Sequence, residues 1–196
     1  MIQHSILHVV NNLNNFTQAK PTMEADYLRS ARQQFQSYKA LGEKTFAQLS
    51  DEHLSWQFNS ESNSIATIVK HLAGNMLSRW TDFLTTDGEK EWRRRDDEFE
   101  NDIHTHDEMI KTWNQGWDCL FSALDELDNN DLSKEITIRQ QSHSVMEAIN
   151  RQLTHYAYHV GQIVYIGKMI RNESWTSLSI PRGKSNEFNT NFTAKK

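Results

Sequence analysis

A lone cysteine, Cys119, in a chain of 196 residues excludes an intrachain disulfide and gives no sign of an oxidising compartment. Two prolines and seven glycines are few for a sandwich or barrel, which needs turn residues every ten positions or so, whereas a helical bundle needs only three or four connections. No apolar run reaches the roughly 18 residues of a membrane span. The segment Ile2 to Val10 is broken by His4 and His8 and has neither a basic leader nor a small-residue cleavage site, so a cytoplasmic protein is expected, with no membrane as partner. Nor is there an excess of basic charge. The 26 acidic residues outnumber 21 basic ones and are spread along the chain, for a net charge of −5, which argues against nucleic acid as a partner. The one dense basic cluster, Arg93 to Arg95, is followed at once by Asp96, Asp97 and Glu98 and reads as a self-neutralised, solvated loop.

What is present is enough for one substantial core: 37% apolar residues and six tryptophans. Residues 1–22, with the polar string Asn11 to Asn15 and Pro21 ahead of Met23, read as an N-terminal extension. Residues 23–188 read as the domain and 189–196 as a polar tail that frays. Apolar residues recurring near the 3.6-residue period predict helices over 24–49, 65–85, 107–128 and 143–171. The cleanest is the third, where Ile110, Trp113, Trp117, Leu120, Leu124 and Leu127 alternate spacings of three and four. The fourth is apolar almost all round between Tyr156 and Ile170 and is expected at the centre. Asn63 and Ser64 are candidate N-caps of the second helix. A long charged loop follows that helix, from Thr86 to His104, and Glu135 to Arg139 alternates like a short strand.

Chemistry is concentrated in three histidines. His155 and His159 are four apart on the fourth helix, which places both rings on one face about a turn apart, and His71 lies mid-way along the second helix, from which a bundle can present it to the same point. Three neutral imidazoles around zinc or a similar first-row ion leave a position for water or substrate, the catalytic rather than the structural pattern. Asn75 and Asp82, on the face of His71, and Gln152 and Gln162, flanking the pair, are candidates to orient ligand or substrate, against an ordinary solvating role. Other histidines fall outside the pattern: His104 and His106 precede the third helix with no third partner, and His143 lies off the metal face. Cys119 reads as a small buried hydrophobe. Arg182 and Lys184 would meet an anionic substrate only if the C-terminal arm folds over the bundle.

The run His155-Tyr156-Ala157-Tyr158-His159-Val160-Gly161-Gln162-Ile163, with Ile68-Val69-Lys70-His71-Leu72 upstream, resembles the DinB/YfiT-like superfamily of metal-binding four-helix bundles. The stretches Glu61 to Ile65 and Trp80 to Phe83, with the tail Leu178 to Ser185, are similar to a bacterial branch of unassigned function. The resemblance spans about Met23 to Phe188. It implies an all-α, up-down-down-up four-helix bundle in which His71, His155 and His159 bind zinc, nickel or another divalent ion, and a homodimer. Characterised relatives transfer low-molecular-weight thiols or use them as cofactors. The expected function is therefore a metal-dependent enzyme acting on a small molecule, by thiol transfer or hydrolysis. The alternative is a non-catalytic, stress-associated metal-binding dimer.

Overall fold

The computed structural model describes residues 23–193, so the expected extension, 1–22, lies outside the described residues, as does the end of the tail, 194–196. The described chain is mostly helical: α1 (Met23–Phe46), α2 (Ile65–Trp80), α3 (His106–Asp125), α4 (Val145–Arg171) and the short α5 (Ser185–Thr193). A two-stranded antiparallel hairpin, β1 (Glu135–Ile138) and β2 (Gln141–Ser144), precedes α4. None of these helices is long and apolar enough to cross a membrane.

The helix starts follow local chemistry. Ser64 Oγ accepts the amide of Thr67 at the head of α2. Thr105 with Glu108, and Ser144 with Glu147, form reciprocal capping boxes at the heads of α3 and α4. The ends are where periodicity overran. Helix α1 stops at Phe46 rather than 49, and α3 at Asp125 rather than 128. Helix α2 stops at Trp80 rather than 85, because Thr81 is extended and Asp82 turns to a positive φ of 49°. Phe83 nevertheless reaches the core from that turn, its ring centroid 4.7 Å from that of Trp80. At the other end, 143 and 144 pair with Ile136 and Glu135 in the hairpin, so α4 starts at Val145. Residues 189–193, within the expected tail, form the second half of α5.

One core holds the four long helices together. Its centre is aromatic: Phe35 of α1 stands edge-on to Trp80 of α2 and Trp117 of α3, and Tyr156 of α4 closes the group 5.8 Å from Trp117. Each such ring is worth a few kcal/mol of apolar burial, roughly 1.5–3 for a Phe-sized side chain. Helix α2 packs chiefly on α3 and α1 on α4. Gly116 permits the first of these, since a Cβ there would sit 2.8 Å from Ala73 Cα. Helix α4 is less enclosed than its composition suggested: Tyr158, Tyr165 and Met169 are exposed on it.

The hairpin fixes the loop after α2. Its two-residue turn places Arg139 and Gln140 at φ of 54° and 61°, the left-handed region that closes such hairpins. Asp87 clamps this turn, Oδ1 accepting from Arg139 N (2.8 Å) and Oδ2 from Gln140 N (2.7 Å). Gly88 N donates to Thr137 O at 2.8 Å, and Arg79 reaches back from α2 to Gly88 O.

Candidate metal centre

His71 from α2 and His155 and His159 from α4 converge. Their three ligand atoms lie within 4.8 Å of one another. Nε2 of His155 is 3.1 Å from Nε2 of His159 and 3.4 Å from Nε2 of His71. Three nitrogens at about 2.0–2.1 Å from one tetrahedral ion stand roughly 3.3–3.4 Å apart, close to the two spacings from His155.

The outer nitrogens say which end of each ring faces the centre. Nδ1 of His71 lies 3.0 Å from Glu98 Oε2, and Nδ1 of His159 lies 2.8 Å from Gln162 Oε1. Both partners accept, so Nδ1 of each ring is the donor and Nε2 is the atom turned inward. Burial, followed by the neighbouring His159, His71, Arg79 and Arg93, pushes His155 down to about 3, which keeps it a neutral imidazole at physiological pH. Burial likewise lowers His159, against the raising effect of its bond to Gln162. A divalent ion among the three Nε2 atoms could take their lone pairs in place of hydrogen bonds between the rings.

Glu98 is held as firmly as the ring it orients. It sits on a single 3-10 turn, Asp96–Phe99, and its side chain is 7% exposed. Arg93 grips it with Nε at 2.7 Å and Nη2 at 2.9 Å. Burial would raise its pKa, but the hydrogen bonds from His71 and Arg93 outweigh that and hold it below the usual carboxylate range. A glycine makes the room: a Cβ on Gly74 would come 2.7 Å from Glu98 Cδ. The neighbouring Phe99 ring lies over His71, centroids 5.4 Å apart.

Two cavities flank the cluster. One, of about 240 Å³, is lined by His71, His155, Asn75, Gln152 and several arginines. The other, of about 500 Å³, lies beyond Gln162 between Trp56, Phe58, Ile68 and Tyr165. Three of the four polar candidates therefore meet the site: Gln162 holds His159, while Asn75 and Gln152 line the smaller cavity. Asp82 does not, since α2 ends before it and it is exposed. His106 instead faces the C-terminal carbonyl of α1 at Phe46 O, and His143 is in β2. Cys119 is half-buried against Thr81 Oγ1, where burial raises its pKa, and it is not part of the histidine group. Lys184 pairs with Glu187, and neither it nor Arg182 lines these cavities.

Comparison with protein-family models matches residues 22–184 to one described as "Protein of unknown function (DUF1572)". The chain belongs to this family. A comparison with curated proteins gives no match. In this DUF1572 chain the residues that sequence reasoning missed are acidic and basic ones in the loop. Arg93 and Glu98 are buried, where a solvated loop was expected, and only Arg94 of the three arginines keeps to that expectation, paired with Asp97 at the surface. Nothing in the string Asp96-Asp97-Glu98 sets Glu98 apart. The one available hint was Gly74, three positions after His71 on an otherwise side-chain-rich helix.

Proposed function

We propose that this chain is a divalent-metal-dependent enzyme acting on a small molecule through an open three-histidine site, by thiol transfer or hydrolysis. The observation that carries the reading is the convergence of three Nε2 atoms whose rings are oriented from behind by Glu98 and Gln162. We place the family in the DinB/YfiT-like superfamily and its helices in the up-down-down-up bundle of that group. The pairing of α2 with α3 across a long connection supports this.

The donor set suits zinc or nickel: neutral imidazoles and no thiolate. His71, His155 and His159 would hold the ion. A divalent ion bound there supplies Lewis acidity, enough to make water or a thiol nucleophilic near neutral pH. The protein's own part is positioning. Glu98 and Gln162 fix the tautomers, and Asn75 has its amide turned by Tyr156, whose hydroxyl donates to Asn75 Oδ1 at 3.1 Å while accepting from Trp80 Nε1 at 3.0 Å. That leaves the Asn75 amino group for the cavity it lines.

Catalysis is favoured over a purely structural site because Glu98 engages its oxygens with His71 and Arg93 rather than closing the cluster as a fourth ligand, and because a cavity is lined by His71 and His155. The test is metal analysis of protein purified without a chelating tag, then assays of thiol transfer to electrophiles and of ester hydrolysis by the loaded protein. One ion per chain with turnover that disappears in His155→Ala supports the reading. One tightly held ion with no turnover in either assay favours the non-catalytic alternative, and no ion at all defeats both.

A further inference from the structure

The smaller cavity beside the histidines is lined by five arginines, Arg79, Arg93, Arg95, Arg139 and Arg151. Two carboxylates answer them. Glu98 is taken by Arg93 and His71, and Glu89 is shared among Arg79, Arg95 and Arg139. Positive charge is thus in excess around a cavity whose deepest arginines are out of water: the side chains of Arg93 and Arg79 are 2% and 5% exposed. Three of their donors remain buried with no hydrogen-bond partner, Nε of Arg79, Nη1 of Arg93 and Nε of Arg95. Guanidiniums gathered at one cavity in excess of their carboxylates, the deepest of them out of water and with donors unpaired, favour an acceptor that carries negative charge in the space they line.

We propose that this cavity binds the anionic group of the substrate, a carboxylate or a phosphate, on Arg79 and Arg93, with Arg95, Arg139 and Arg151 at its more exposed side. The planar forks of arginine suit either oxyanion in bidentate fashion. A volume of about 240 Å³ takes such a group with a few attached atoms, not a whole nucleotide. His71 and His155 line the same cavity, so an anion seated there brings the adjoining atoms of its molecule to the cluster. Gln152 also lines the cavity and is 3% exposed, its Oε1 a buried acceptor without a partner. This inference names a substrate class for the proposed metal site and rests on that reading for its catalytic meaning. The anion site itself is testable with no metal bound.

The experiment titrates inorganic phosphate and, separately, succinate into the full chain, chelator-treated and zinc-loaded, by calorimetry and thermal melts. Arg139→Gln and Arg151→Gln are the probing variants, since both side chains are exposed enough to be changed without unfolding the chain, and Arg94→Gln is the surface control. The expected result is saturable binding by chelator-treated protein, weakened roughly tenfold in Arg151→Gln and Arg139→Gln and unchanged in Arg94→Gln, as loss of one charge-assisted contact predicts. Whichever anion binds more tightly names the group. No saturable binding, equal binding in all three variants, or binding that needs zinc and ignores Arg151→Gln would overturn the proposal. Zinc titrated alone reads the metal site: anion binding with no zinc binding sinks the metal reading and keeps the anion site, and the converse does the opposite.

Discussion

Glu98 Oε2 meets His71 Nδ1 at 3.0 Å across 27 positions of sequence, reaching from a single 3-10 turn onto the middle of α2. The orientation of the His71 ring is thereby set by a loop, and by Arg93, which grips the same carboxylate.

Replacing Glu98 by Gln keeps the volume and removes the charge. Divalent-metal affinity is expected to fall ten- to a hundredfold, as for other orienting carboxylates, and stability to fall by roughly 3 kcal/mol because buried Arg93 loses its counter-ion. Competition with a chromogenic chelator measures the first and urea unfolding the second. Unchanged metal affinity would mean that Glu98 serves only Arg93.

Two glycines should respond in opposite senses to the same change. Gly74→Ala drives a methyl group into the Glu98 carboxyl and is expected to lower both the melting temperature and metal affinity. Gly161→Ala meets nothing within 4 Å on exposed α4 and should stabilise by about 0.5–1 kcal/mol through helix propensity alone. Equal effects at the two positions would refute the crowding at Gly74.

Zinc added to metal-free protein should raise its melting temperature, since the ion binds the folded state by about RT ln(1 + [L]/Kd). His155→Ala and His159→Ala are expected to lose most of that rise, while His104, His106 and His143 variants keep it. Thermal melts with and without zinc decide the matter, and a full response in His155→Ala would show the site misplaced.

Asp87 makes a prediction about acid. Its slight burial would raise its pKa, but hydrogen bonds from the amides of Glu89, Gln140 and Arg139 outweigh this and depress it below the ordinary 3.8. A depressed folded-state pKa stabilises above the unfolded value and loses that contribution as pH falls through the folded one. Asp87→Asn should therefore cost about 1–2 kcal/mol, evenly from pH 5 to 8, with the difference from the parent shrinking below about pH 4. Unfolding free energies of both proteins across this range supply the check. A difference that grows on acidification would reverse the sign and reject the clamp.

Periodicity and capping were legible because they are local. Trp113, Trp117 and Leu120 mark the buried face of α3 in the order of the residues themselves, and Ser64 sits where a cap must. The histidine pair was readable for the same reason, four residues on one helix being neighbours in space. Bringing His71 to them depended on how α2 meets α4, which spacing does not encode: a bundle made it a candidate, and the resemblance implied it as a ligand. The arginines and Glu98 were misread because charge runs are judged by composition. Whether Arg93 points to water or inward depends on Glu98, and the room for Glu98 on Gly74, far from both along the chain. Helix ends were overrun where a backbone turn, at Thr81 and Asp82, interrupts a pattern that the apolar Phe83 continues.

The hairpin turn carries a conflict between durability and use. Left-handed backbone at Arg139 and Gln140 is the place where Asn-Gly is the least strained choice, and an arginine there costs on the order of 1 kcal/mol. Any redesign guided by thermostability alone would remove Arg139, and with it one of the five guanidiniums around the cavity. An engineered chain that melts later would then hold its anion more weakly, and the strained arginine would be recognised by what its replacement takes away.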